Sequence, residues 1–364
     1  MFFYITILFL LLVGSTFEIA SNNKKFSLIT FSFFILTFYF LSFIRWETGT
    51  DWDTYYKMYT WIKEPWENIF HTGMEPGFAF INNLGKFLFN NYTGVLFLFS
   101  TIIYIYLARS YLALSQYPLT SLFIAFCVLS FAHILYVRQN VALVLLCWSV
   151  FYIKNRQFKL FLFCVFIASL FHRTAWIFLL AYPVFYKKYS FKFYLITIIA
   201  SLTIGTIIGK MILGYIGSLG LGIISEKITG YIELGAEDNS TTLSTTSILI
   251  KGFINRGVIL TLIFYCKYKL KYNSTFFNGL VNIYILGTIL YFITLPLSIS
   301  LARIAVYMDS IQAILIPYII YNQRHLHNRI LFFTIIALYY SARFYTSFIS
   351  FEYEYVPFKT IFNP

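Results

Sequence analysis

Long apolar runs, separated by short polar or basic clusters, recur along the whole chain. A helix needs about 20 apolar residues to cross about 30 Å of hydrocarbon. Runs near or somewhat below that length cover 2–20, 26–44, 93–113, 119–136, 139–153, 158–171, 174–186, 191–211, 247–266, 275–298, 303–321 and 329–347. The pattern predicts an all-α, polytopic transmembrane bundle of about 11–12 spans, forming a single integral membrane domain over 1–364. The pair 158–171 and 174–186 is short, and it suits a re-entrant hairpin as well as two crossings. Either way, backbone at that depth must be helical or enclosed by protein. Two connections exceed a turn, 45–92 and about 212–246, and long loops between rigid elements often carry function. Within the second, 237–247 is polar and reads as mobile.

Composition agrees with lipid as the solvent. The chain is 59% hydrophobic and 11% charged, against about 25% charged in an ordinary soluble domain. The apolar excess is too large for one water-soluble core of 364 residues. A net charge of +13 would suit nucleic acid, but the basic residues sit in clusters between spans, with no long basic patch, so no nucleic-acid partner is expected. Cys127, Cys147, Cys164 and Cys266 all fall in apolar runs without C-x-x-C spacing, which argues against disulfide scaffolds and metal sites and for small buried hydrophobes. The opening segment lacks a basic n-region and reads as a retained first span.

Alternate connections hold Lys24 and Lys25; Arg109; Lys154, Arg156 and Lys159; Lys187, Lys188 and Lys192; Lys267, Lys269 and Lys271; Arg324 and Arg329. The positive-inside rule makes that face cytoplasmic. Both termini and both long loops then fall on the extracytoplasmic side.

The outer loop contains Arg45, Trp46, Asp51, Trp52, Asp53, Tyr55 and Tyr59. A helix over 52–63 would make Asp51 an N-cap, its carboxylate accepting from free backbone N–H groups. Acids beside aromatic faces also suit a sugar, since carboxylates accept hydroxyl protons and flat rings cover apolar sugar faces; the alternative is an interfacial aromatic belt. Glu75 precedes a Pro-Gly pair that opens a short helix, as a base, a sugar ligand or a complement to the helix dipole. Arg138 and Gln139 begin an apolar helix, where a cation opposes both hydrocarbon and dipole; an anionic partner or snorkelling would account for it. His172 and Arg173 interrupt an apolar stretch at its outer turn, where His172 could shuttle a proton or bond a phosphate. Arg256 lies mid-run, and Arg303 and Tyr307 open another run; both arginines could bind an anionic lipid headgroup, or Asp309 could neutralise either one as a structural pair. Arg45, Arg138, Arg173 and Arg303, with Asp51, Glu75 and His172, map to the outer face, where they are expected to meet in an outward-facing cavity. Basic groups for pyrophosphate beside acids and aromatics for sugar describe a lipid-pyrophosphate-linked glycan.

Ordered motifs then point to a family. They are R-x3-G-x-D-x3-Y from Arg45 to Tyr55, with Tyr59 following; Glu75-Pro76-Gly77-Phe78; Val137-Arg138-Gln139-Asn140-x-Ala142; Ala168-x3-His172-x-Thr174-Ala175; Arg303-x3-Tyr307; and Val356-Pro357-Phe358-x-Thr360-Ile361-Phe362. Together they resemble the EpsG/Wzy-type family of bacterial polysaccharide polymerases, with Thr174 where Ser is commoner and Phe358 where Tyr is commoner. The resemblance implies a bundle like that of polytopic GT-C-like glycosyltransferases in the bacterial inner membrane, with the active site facing outward. It implies transfer of an undecaprenyl-pyrophosphate-linked glycan onto a sugar hydroxyl of a lipid-linked repeat unit, without cofactor or metal, and a chain-length regulator as a plausible partner beside membrane lipid. In that reading Arg138, Arg173 and Arg303 clamp the pyrophosphate, Asp51, Glu75 or His172 takes the proton, and Arg45, Tyr55, Gln139, Arg256 and Tyr307 contact substrate or orient those that do. Two other readings remain open. Asp51-Trp52-Asp53 suits a metal-assisted glycosyltransferase using a polyprenyl-phosphate sugar. The other is a lipid-oligosaccharide flippase or other transporter, a class that tends to show inverted repeats and broken helices at the midplane, whereas here the charges gather at one face and the outer loop is large.

Overall fold

The computed structural model describes residues 1–66, 74–135, 137–208, 211 and 245–363. Among them the chain is helical, and no strand forms beyond isolated bridges near Thr360. Seven helices are long and apolar enough to cross a membrane: Phe2–Ser21, Lys24–Ile44, Tyr92–Leu114, Ser247–Lys269, Thr275–Thr294, Arg303–Tyr321 and Leu326–Ile349. Shorter apolar helices occupy Pro118–Val128, Phe158–Phe171, Arg173–Phe185 and Phe191–Ile207. The protein is an all-α, multi-pass membrane protein. Its outer surface says the same: Phe2, Phe9 and Phe17 on the first helix and Phe33, Leu36 and Phe40 on the second are exposed, which only lipid makes favourable on this scale.

Two compact units form, Met1–Trp176 with Gln312–Pro364, and Ile177–Ile311. In the first, α1 (Phe2–Ser21) and α2 (Lys24–Ile44) form a hairpin whose turn is capped by the Asn23 side chain, which accepts from the Lys25 and Phe26 N–H groups. After α2 come α3 (Trp52–Thr60), α4 (Pro76–Phe89), α5 (Tyr92–Leu114) and α6 (Pro118–Val128). The one-turn α7 (Ser130–His133) precedes α8 (Arg138–Lys154) and α9 (Phe158–Phe171). Helix α5 packs on α2, α4 and α8, and α8 packs on α9.

The second unit holds α10 (Ala181–Phe185), α11 (Phe191–Thr203) with a π-helical turn Ile204–Ile208, α12 (Thr245–Phe264) with a π-helical turn Tyr265–Lys269, α13 (Thr275–Thr294), α14 (Ile299–Ala302) and α15 (Val306–Asp309). Helix α13 is its centre, packed by α10, α11 and α15. The chain then rejoins the first unit through α16 (Gln312–Tyr321), α17 (Leu326–Ile349) and the single turn α18 (Glu352–Tyr355); α6 packs on α1, α16 and α17.

The sequence reading erred where it took apolar runs as unbroken. The run 119–136 splits at Leu129, and Phe131 and His133 take positive φ of 58° and 71°. The run 174–186 begins as a 3-10 stretch, Arg173–Leu180, before α10. The second long connection lies outside the described residues except Thr245 and Thr246, which already belong to α12, so the expectation for 237–247 falls mostly outside them as well. All four cysteines are buried and unpaired.

Candidate functional site

The loop after α2 is shaped by residues about 310 positions later. The Ile361 N–H donates to the Ile44 carbonyl at 2.8 Å, the Trp46 N–H to the Lys359 carbonyl at 3.0 Å, and the Gly49 N–H to the Glu354 carbonyl at 3.0 Å. The Lys359 N–H reaches the Thr48 hydroxyl at 3.1 Å, and its ammonium pairs with Glu47 at 2.9 Å. Gly49 takes φ of +105°, and a Cβ there would meet Arg45 Nη1 and Leu135 at 3.5 Å. The tail that completes the family-like motif set is therefore a strap across the outer loop.

Arg45 is held under that strap. It is 1% exposed and donates from Nη1 to the Thr48 carbonyl at 2.8 Å. Burial pulls its pKa below the ordinary guanidinium value, while Tyr92, Tyr55 and Asp51 act in the opposite direction. This corrects the expectation that Arg45 faces an outer cavity: it is an internal brace for the loop. Asp51 does stand just before α3, but it is not the capping group expected. The Trp52 N–H goes instead to the Gly49 carbonyl at 3.2 Å, and the Asp51 side chain makes no capping bond. The strapped loop turns tightly enough to cap the helix with its own backbone, which leaves the half-buried Asp51 carboxylate without a hydrogen-bond donor among the described residues.

One turn along α3, Tyr55 is buried against Phe78, with ring centroids 5.3 Å apart. Burial pushes its phenol up to about 12, and the Asp51 charge adds to the rise. Phe78 comes from α4, which Glu75 and Pro76 open. Gly77 permits a close approach there: a Cβ would lie 2.9 Å from the Leu170 carbonyl oxygen. The start of α4 is thus pressed against the end of α9, at Leu170, two residues before His172. His172 is part-buried, and its Nδ1 lies 2.7 Å from the Thr174 hydroxyl.

Glu75 carries the central contact, an ion pair with Arg138 at 2.9 Å, with Arg138 at 29% and Glu75 at 12% side-chain exposure. The Arg138 guanidinium also lies 5.8 Å from the centroid of Tyr55 and 5.9 Å from that of Phe78, within cation–π range. The anionic partner that an arginine at the start of a helix demands is thus supplied by the chain itself. Nε of Arg138 is buried, so a ligand meets the exposed part of the side chain, 29% of it. Gln139 is part-buried beside it and Arg173 is exposed. Sequence reading passed over His133, which is fully buried in the break before α8; its ring has no composition or spacing signal.

Arg256, Arg303, Tyr307 and Asp309 belong to the second unit. Arg256 is buried, forms a short ion pair with Asp309 and lies 3.5 Å from the Tyr291 ring centroid. Of the two readings offered for it, headgroup contact and internal neutralisation, the structure shows the second. Arg303 is exposed and Tyr307 is buried. Asp51 is part-buried and Asp53 exposed, two positions apart where helical residues do not face one another. Among the described residues no group of three or more His, Cys, Asp and Glu gathers as a metal site would.

The sequence model of the EpsG family matches residues 28–360. The chain belongs to the EpsG family. This is a family of Wzy-type polymerases, so the protein is a polysaccharide-polymerase-type membrane protein. No curated protein and no solved structure matches the chain.

Proposed function

We propose that this EpsG-family chain polymerises glycan repeat units at the outer face of the bacterial inner membrane. A glycan carried on undecaprenyl pyrophosphate moves onto a sugar hydroxyl of a second lipid-linked unit. The observation that carries this reading is the part-exposed Arg138, oriented by Glu75 and faced by Tyr55, next to the Asp51 loop and the His172 turn. The acceptor oxygen attacks the anomeric carbon as its proton passes to a base. The bond to the pyrophosphate oxygen breaks, and its electron pair leaves with the pyrophosphate. Arg138, with Arg173 as a second cation, stabilises that growing charge. A charge-assisted hydrogen bond is worth roughly 1.5–3 kcal/mol, so two that tighten in the transition state supply about 10²-fold or more.

Of Asp51, Glu75 and His172, Asp51 suits the proton best. Glu75 is engaged in holding Arg138, whereas the Asp51 carboxylate has no hydrogen-bond donor among the described residues. His172, whose Nδ1 lies 2.7 Å from the Thr174 hydroxyl, is the alternative. General base catalysis of this kind typically contributes about 10²–10⁴-fold.

The test is the surface glycan of a deletion strain. Single lipid-linked units at the outer face are expected, with a full ladder restored by the wild-type gene and not by Arg138→Ala at equal abundance. Full-length chains with Arg138→Ala overturn the clamp. Absence of any exported unit in the deletion strain assigns transport instead. Loss of activity with EDTA, restored by Mn²⁺ or Mg²⁺, assigns the metal-assisted transferase.

A further inference from the structure

A cavity of about 450 Å³ lies at the other end of α2 from Arg45. The 21 residues of α2 separate the two ends by roughly 30 Å. It is lined at the α1–α2 turn by Asn22, Asn23 and Lys24, at the α5–α6 turn by Ser115, Gln116 and Tyr117, and by Glu18 behind them.

The hydrogen bonds of this lining are one-sided. Glu18 is 1% exposed, and its two carboxylate oxygens take the Leu119 N–H at 3.0 Å, the Thr120 N–H and hydroxyl at 2.8 Å each, and the Ser27 hydroxyl. Its charge is thereby spent on the start of α6, where the helix dipole favours it. The Asn23 carbonyl oxygen takes two backbone N–H groups. The Ser115 hydroxyl oxygen takes Ser121 at 2.8 Å and the Tyr117 N–H at 3.2 Å. The Tyr117 hydroxyl oxygen takes Nη1 of Arg329 at 3.5 Å, and Arg329 also stands 5.4 Å from the Tyr321 ring centroid.

The Glu18, Asn23 and Ser115 acceptors are therefore occupied from within. Donors line the same space: the Lys24 ammonium, the Asn22, Asn23 and Gln116 amide N–H₂ groups, and the Ser115 and Tyr117 hydroxyl protons. Burial raises the Tyr117 pKa, against the opposing pull of Arg329, so the phenol keeps its proton. A cavity with an ammonium and several N–H and O–H donors, whose one carboxylate is already satisfied, suits an anion with several acceptor oxygens. Leu28, Leu112, Pro118 and Tyr321 complete the wall with apolar surface, which a free ion does not use and an acyl chain does.

We propose that this cavity binds the phosphate of an anionic phospholipid headgroup, gripped by Lys24, Asn23, Ser115 and Tyr117, with the glycerol and first acyl carbons against Leu28 and Leu112. The site is independent of the polymerase reading.

The test uses the full chain in detergent, with retained phosphatidylglycerol measured by native mass spectrometry against diacylglycerol and inorganic phosphate. Phosphatidylglycerol is expected to be retained and diacylglycerol not. Lys24→Gln should weaken retention about tenfold, as loss of a charge-assisted contact does. Tyr117→Phe should weaken it less. Lys25→Gln, which removes the same charge one residue away from a side chain outside the lining, should leave it unchanged. An equal loss with Lys25→Gln makes the effect diffuse surface charge and overturns the site, as does retention indifferent to Lys24→Gln. Complete displacement by inorganic phosphate overturns the lipid assignment.

Discussion

Two arginine–carboxylate pairs, one in each unit, show how the same chemistry serves different ends. In the second unit Arg256 and Asp309 have side chains 8% and 15% exposed, and Tyr291 covers the guanidinium. In the first unit Glu75 is comparably enclosed, but Arg138 reaches 29% exposure. Arg256 comes from the interior of a membrane-spanning helix, where an unpaired charge is least tolerable. Arg138 and Glu75 each stand at the start of a helix. A sealed pair has only a structural part to play, whereas a pair with one open cation can meet a ligand.

The largest expected effect separates the two. Arg138→Ala should lower polymer formation by about 10²-fold or more at unchanged abundance, read from glycan ladders. The exchange Glu75→Arg with Arg138→Glu should restore protein level but not polymer, because a substrate contact is directional and a structural pair is not. Recovery of ladders by that exchange would make the first pair as structural as the second. Next comes Asp309→Leu, which strands a buried guanidinium and should destabilise by about 3–5 kcal/mol. The double replacement Arg256→Met with Asp309→Leu should recover most of that in thermal melting and leave polymer formation intact.

The strap gives a smaller effect. Thr48→Val removes the hydroxyl that the Lys359 N–H donates to, a loss of about 1 kcal/mol for one neutral hydrogen bond with its donor left behind. Chain removal after Ser350 removes the whole strap, and should raise the reactivity of a cysteine placed at Thr50 while the spans stay inserted. The smallest effect is spectroscopic. A phenol whose pKa rises on folding is stabilising below its unfolded value of 10, and that contribution fades as pH climbs toward about 12. Ultraviolet titration of wild type against Tyr55→Phe should differ by one phenolate appearing near that upper limit.

The helical, lipid-facing character of the chain was legible in its apolar runs, because each span must satisfy its own backbone and face hydrocarbon regardless of its neighbours. The residue types at the site were legible as well. Arg138 was recognised as a cation misplaced for its helix, and an anion was expected beside it; the short helix after Glu75 was also foreseen. That the anion is Glu75, 63 positions away, was not, since ion pairing across helices depends on which helix ends meet. Nor was the burial of Arg45, which follows from a tail more than 300 residues later closing over its loop. Broken runs such as 119–136 were invisible for a related reason. Hydropathy registers what a residue prefers as solvent, and Phe131 or His133 at positive φ is as apolar or polar as in a helix. Local preference thus settles which segments enter the membrane, whereas the partners of each charge, and so which arginine stays open to a ligand, are set by long-range packing.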